Sequence, residues 1–198
     1  WNVTARTGSP YIKKYEEERE LLVILLVDVS ASGIYGTGNS LKSDIIIDIA
    51  SILSFSAIKN NDKVGLLLFS DKIEKYIPPK KGKVHVLRVI REMIFHKTKD
   101  KHTNIGISLD QIQKLLKRKS IIFLLSDFWD DTFYKPMKRL NKKHDLINIQ
   151  ILDKSEIDFP NIGLVKVHDA ETKQTIWVDT SARNTYKKIH KHSLTKNK

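Results

Sequence analysis

Seven consecutive apolar residues, Leu21 to Val27, run directly into Asp28-Val29-Ser30-Ala31-Ser32. The run is too short to cross a bilayer, and its leucine, valine and isoleucine content suits a strand buried on both faces. Such a strand sits centrally in a parallel α/β sheet, and its carboxyl end is where these sheets place ligands. Val64 to Phe69 and Ile121 to Leu125 have the same character, and the latter ends in a second acidic terminus, Ser126-Asp127-Phe128-Trp129-Asp130-Asp131. Ile73 to Ile77 alternates as a half-exposed strand does. Its short connection, Ser70-Asp71-Lys72, implies an antiparallel hairpin, because a parallel partner needs a long crossover. Pro78-Pro79 is expected to stop this strand, and an edge location suits its charges and prolines. A last sheet strand is expected over Leu146 to Leu152.

Helical spacing fills the intervals. A helix beginning at Asp44 carries Ile46, Ile49, Ala50, Leu53 and Ala57 inward. Lys83 to Phe95 reads as a helix with Leu87, Ile90 and Ile94 inward. Ile105, Leu109, Ile112 and Leu116 form the stripe of a third, with Thr103 at or near its N-cap. Thr132 to Lys143 places Phe133, Met137 and Leu140 inward. Ile162 to Val167 and Thr175 to Val178 flank a hairpin turn. Thr180 is expected to cap a final helix bearing Ala182, Tyr186 and Ile189, followed by a frayed basic tail from His190 to Lys198. The expectation is a polar lead-in over residues 1–20 and one α/β domain over 21–198.

Composition narrows the chemistry. At 198 residues the chain can bury a sizeable core in one domain. It has no cysteine, which excludes disulfides, thiol nucleophiles and zinc–thiolate sites and agrees with a reducing, cytoplasmic compartment. No stretch is long enough for a membrane span, and no signal peptide is visible. Trp1 stands where Met would be, so the chain is expected to be a fragment of a longer protein. A formal charge of +12 raises nucleic acid or an anionic surface as partners, through Lys80, Lys81, Lys83, Arg88, Arg91 and the tail. The lysines are scattered over helix faces, however, and no aromatic platform or groove-reading helix accompanies them.

Asp28, Ser30 and Ser32 offer three oxygen side chains at one loop, a donor set for a hard dication such as Mg²⁺, Mn²⁺ or Ca²⁺. A haloacid-type phosphatase would need a second aspartate where Ser30 stands. A phosphate-binding loop would need Gly-Lys-Ser/Thr, and no lysine follows Gly33, Gly36 or Gly38 at that spacing. No histidine falls into a defensible triad or ligand pattern, so an enzyme is not expected, and a metal-dependent phosphoesterase or nuclease is the least favoured reading.

Asp28-x-Ser30-x-Ser32, then Thr103, then Asp127 resembles the complete metal-ion-dependent adhesion site of the von Willebrand factor A fold. Further stretches are similar to one bacterial branch, the domain-of-unknown-function 58 family. They are Trp1 to Gly8, Glu16 to Arg19, Gly65 to Phe69, Pro78-Pro79 and Leu125 to Phe128, and the resemblance covers nearly the whole chain. It implies a Rossmann-like three-layer sandwich with a mostly parallel central sheet and one antiparallel edge strand. It also implies that Ser30, Ser32 and Thr103 touch Mg²⁺ (or Mn²⁺ or Ca²⁺) directly, while Asp28 and Asp127 hold it largely through water. A cation so poorly neutralised would accept a carboxylate from a protein partner. The family further implies work alongside a MoxR-type AAA+ ATPase in assembly or maturation of other proteins. The contact surface expected from these roles comprises the loop Gly33 to Asn39, the loop around Lys101 and His102, and Phe128-Trp129-Asp130.

Overall fold

The computed structural model describes residues 20–30, 41–96, 103–130, 132–153, 163–168 and 175–181. Five strands form the main sheet: β1 (Leu22–Asp28), β2 (Lys63–Phe69), β3 (Ile73–Lys80), β4 (Ile121–Ser126) and β5 (Asp145–Gln150). Their order is β3-β2-β1-β4-β5. β1 pairs in parallel with β2 and β4, β4 pairs in parallel with β5, and β3 runs antiparallel at the edge. Helices α1 (Lys42–Lys59), α2 (Lys83–Phe95), α3 (Ile105–Leu115) and α4 (Tyr134–Leu140) supply the crossovers. Strands β6 (Leu164–His168) and β7 (Thr175–Asp179) form the expected antiparallel hairpin.

The apolar run of β1 is explained by what lies on its two sides. Val23, Leu25 and Val27 face a core shared with Ile46, Ala50 and Ala57 of α1 and Val86, Val89 and Met93 of α2. Ile24 and Leu26 face the opposite core, built with Ile105, Leu109 and Ile112 of α3 and with Phe133 and Leu140 around α4. With a strand period of two, only a sheet covered on both faces buries five successive apolar residues. At about 1.5–3 kcal/mol for each large side chain buried, no exposed or one-sided placement of β1 competes. The result is the three-layer von Willebrand factor A architecture.

Several boundaries differ from expectation. β3 continues through Pro78-Pro79 to Lys80. Proline lacks an amide proton, but an edge strand need not donate from every residue, and the β2–β3 register shifts between Val64 and Leu66 accommodate the irregularity. Gly65 lies there, where a Cβ would stand 3.1 Å from both the Ile77 carbonyl oxygen and the Pro79 nitrogen. On α2 the buried residues are Val86, Val89 and Met93, whereas Leu87 and Ile94 are exposed and Ile90 is half-buried. This helix is apolar over most of its circumference, so helical spacing alone allowed two faces, and packing against α1 and β2 selected the other one. α1 begins at Lys42 rather than Asp44, and α4 is shorter than its predicted span. Ser32, Gly33 to Asn39, Lys101, His102, the lead-in before Glu20, and the last helix and tail lie outside the described residues.

Candidate metal centre

The strand order reverses at β1: the chain proceeds outward through β2 on one side, then returns to place β4 on the other. A crevice opens at such a switch point, beyond the carboxyl ends of the two strands. Asp28 is the last residue of β1, and Asp127 follows the last residue of β4. Both are buried.

The two strand ends are joined by charged hydrogen bonds. The Ser126 hydroxyl donates to Asp28 Oδ2 at 2.7 Å. The Ser30 amide donates to Asp28 Oδ1 at 3.0 Å, and the Ser30 hydroxyl also bonds this carboxylate. Burial, reinforced by the negative charge of Asp127, nevertheless pushes the Asp28 carboxyl up to about 6. Ser30 thus bonds Asp28 directly, and Asp127 lies near enough for its charge to act on the same carboxyl.

A cation already touches Asp127. Lys42, the first residue of α1, is 3% exposed, and its Nζ lies 3.0 Å from Asp127 Oδ2. An ammonium in the first turn of a helix is opposed by the positive end of the macrodipole, so this placement requires a compensating anion, which Asp127 provides. Asp127 Oδ1 also accepts the Trp129 amide at 3.4 Å.

Thr103 is half-buried two residues before α3, directly preceding its N-cap Asn104. Three hydrogen bonds bring this segment to the carboxyl edge of the sheet. The Asn104 amide donates to the Ser70 carbonyl at 2.9 Å, just past β2. The buried Asp130 carboxylate accepts the Ile105 amide at 2.7 Å, and Thr132 Oγ1 accepts the Gly106 amide at 3.2 Å. The loop after β4 thus caps α3, holding Thr103 and Asp127 on segments bonded to one another. Gly106 permits the approach, because a Cβ there would stand 2.8 Å from the Thr132 carbonyl oxygen.

The donors suit a hard dication: two carboxylates and the hydroxyls of Ser30 and Thr103, with oxygen as the only ligand element. Among the described residues no group of three or more His, Cys, Asp or Glu side chains gathers. Among the described residues, the carboxylates at these two strand ends are those of Asp28 and Asp127. The pressure on Asp28 and the ammonium on Asp127 both mark a site that favours positive charge. Sequence reasoning missed Lys42, Ser126 and the capping role of Asp130. The one signal for Lys42 was a lysine entering a helix exactly where the dipole disfavours it.

Trp129 is half-buried rather than fully exposed, and Phe128 packs inward with its ring edge-on to Phe133 at 5.4 Å. Phe128 has φ +59°, an uncommon conformation for a bulky residue. This strained turn carries the chain from Asp127 to Asp130.

Comparison with known proteins agrees with this architecture. An uncharacterised protein of Mycobacterium tuberculosis, Rv1480, is 27% identical over 176 residues, covering 87% of this chain and 55% of the relative. The chain thus spans about half the length of that protein. An aerotolerance-related membrane protein from Bacteroides fragilis superposes with a TM-score of 0.60 at 14% identity, covering 88% of each chain. The conserved hypothetical protein BatB from Bacteroides thetaiotaomicron gives 0.57 at 14% identity, covering 88% of this chain and 87% of that one. Among the described residues no helix is long and apolar enough to cross a membrane. The family model for the protein of unknown function DUF58 matches residues 1–198, and the chain belongs to that family.

Proposed function

We propose that this domain is a divalent-metal-dependent protein-interaction module, with Asp28, Ser30, Ser32, Thr103 and Asp127 as the residues that would hold Mg²⁺ (or Mn²⁺ or Ca²⁺). The observation that carries this reading is the buried pairing of Asp28 with Asp127 at the switch point, compensated by one ammonium. With neutral hydroxyls as the direct protein ligands and the carboxylates of Asp28 and Asp127 acting largely through water, a dication stays poorly neutralised in its inner shell and ready to take a carboxylate oxygen from a partner. Bound metal would supply that Lewis acidity. The chain's own residues orient the donors: Ser126 and Ser30 fix Asp28, while Asp130 and Thr132 fix the Thr103 segment.

The family resemblance supports a MoxR-type AAA+ ATPase in the partner system, with a role in assembly or maturation of other proteins. The domain acts by binding and not by turnover in this reading, so a phosphoesterase assay with Mg²⁺ or Mn²⁺ should be blank. Binding through the basic surface is less favoured, since Lys81 of that surface is already engaged by Glu20, whose carboxyl Lys63 and Lys81 hold down at about 2. The test is affinity capture from native lysate with and without chelator, alongside Asp28→Ala. Capture that is metal-dependent and lost in the variant supports the reading, and capture unchanged by both removes the metal from the mechanism.

A further inference from the structure

The Lys42 side chain has no part in the metal-site resemblance, yet it makes the closest charged contact to the site. Its Nζ sits 3.0 Å from Asp127 Oδ2, and the two side chains are 4% and 6% exposed. A buried ammonium and a buried carboxylate each carry a heavy desolvation cost, which is offset only while they remain paired. Lys42 also stands at the amino end of α1, where the helix dipole opposes it. The ion pair with Asp127 offsets this unfavourable placement.

We propose that Lys42 is the resident counter-cation of this centre. Its ammonium neutralises Asp127 when no dication is held and yields when one binds, so Lys42 sets the metal concentration at which the site loads. This inference rests on the metal-binding reading above and adds a control to it. Asp28, Asp127 and Lys42 sum to one negative charge with both acids ionised. Adding a dication while the ammonium stays would put two cations on one carboxylate in a poorly solvated crevice. Coulomb repulsion between a unit and a double charge a few ångströms apart is large at any dielectric short of bulk water. The ammonium must move away, and the energy of breaking its pair with Asp127 is subtracted from metal affinity. The same pairing keeps the metal-free domain folded, because Asp127 is never left buried without a partner.

The test compares wild type with Lys42→Met, which keeps the aliphatic stem and removes the charge. Mn²⁺ binding is measured by calorimetry, and thermal unfolding is followed in chelator and in Mg²⁺. Lys42→Met should bind Mn²⁺ at least about tenfold more tightly, unfold at lower temperature in chelator, and gain more from Mg²⁺ than wild type does. Equal or weaker Mn²⁺ binding by Lys42→Met would overturn the proposal while leaving metal binding by wild type intact. No Mn²⁺ binding by either protein would overturn the metal reading and this inference together. Should Lys42→Met not fold even in Mg²⁺, the wild-type protein decides the matter through the Lys42 side-chain NMR signals. Movement on Mg²⁺ saturation to the values of a solvated lysine supports displacement, and unchanged signals refute it.

Discussion

The Ser126 hydroxyl donates to Asp28 Oδ2 at 2.7 Å, a hydrogen bond that closes the gap between two parallel strands 98 residues apart in sequence. Neither partner is solvated. The bond holds one acid of the centre still while lowering the cost of its charge.

Replacing Ser126 by alanine removes a donor from a buried carboxylate. The expected loss is roughly 1.5–3 kcal/mol of stability at pH 8, the range for hydrogen bonds to charged groups. The Asp28 carboxyl should titrate above its present value of about 6, because Ser126 opposes the upward push of burial. Urea unfolding and carboxyl NMR titration in chelator measure the two effects.

Gly106→Ala tests the joint between α3 and the loop after β4. The new methyl would meet Thr132 oxygens at 2.8 Å, and one of them is backbone. Overpacking of this kind costs about 1–3 kcal/mol. Because the joint carries both Thr103 and Asp127, Mn²⁺ affinity should fall as well. Chemical unfolding and calorimetry on the same preparation would show whether stability and affinity drop together.

The core of α2 gives a contrast between adjacent residues. Val86→Ala removes buried methyls and should cost about 1–2.5 kcal/mol, whereas Leu87→Ala, on the exposed side, should stay within about 0.5 kcal/mol. The opposite ranking in urea unfolding would restore the face predicted from sequence.

Acidification acts through two groups of opposite sign. His144 is buried with neither ring nitrogen hydrogen-bonded to the protein, and burial lowers its pKa. Its folded pKa lies below the unfolded value near 6.5, so its contribution is fully present above that pH and is lost as pH falls through the folded value. Asp28 runs the other way. Its folded pKa near 6 exceeds the unfolded value of about 3.9, so its contribution is present below the latter and lost as pH rises through 6. In chelator, His144→Leu should resist acid between pH 6.5 and 5 better than wild type, and Asp28→Ala should lose the gain from acidification. Urea midpoints across pH 4.5–8 for the three proteins would resolve both slopes.

Much of this was legible because β1 and β4 are apolar without alternation. Such runs demand cover on both faces, and that fixed the layers and placed Asp28 and Asp127 at one edge. Three features were not legible. The face of α2 stayed ambiguous because Val84, Val86, Leu87, Val89, Ile90, Met93 and Ile94 cover an arc wider than one buried face, so the neighbours decide. The prolines of β3 looked like an end because their tolerance depends on the strand being at an edge with a shifted register. Lys42 resembled any solvated lysine, since its burial depends on a carboxylate 85 residues away.

The account depends on Asp28 and Asp127 forming one cation site. Counting bound Mn²⁺ by electron spin resonance in wild type, Asp28→Ala and Asp127→Ala tests this most directly. One ion per wild-type chain and none in either variant is the result expected. Failure of the wild type to bind, or undiminished binding in either variant, would contradict it.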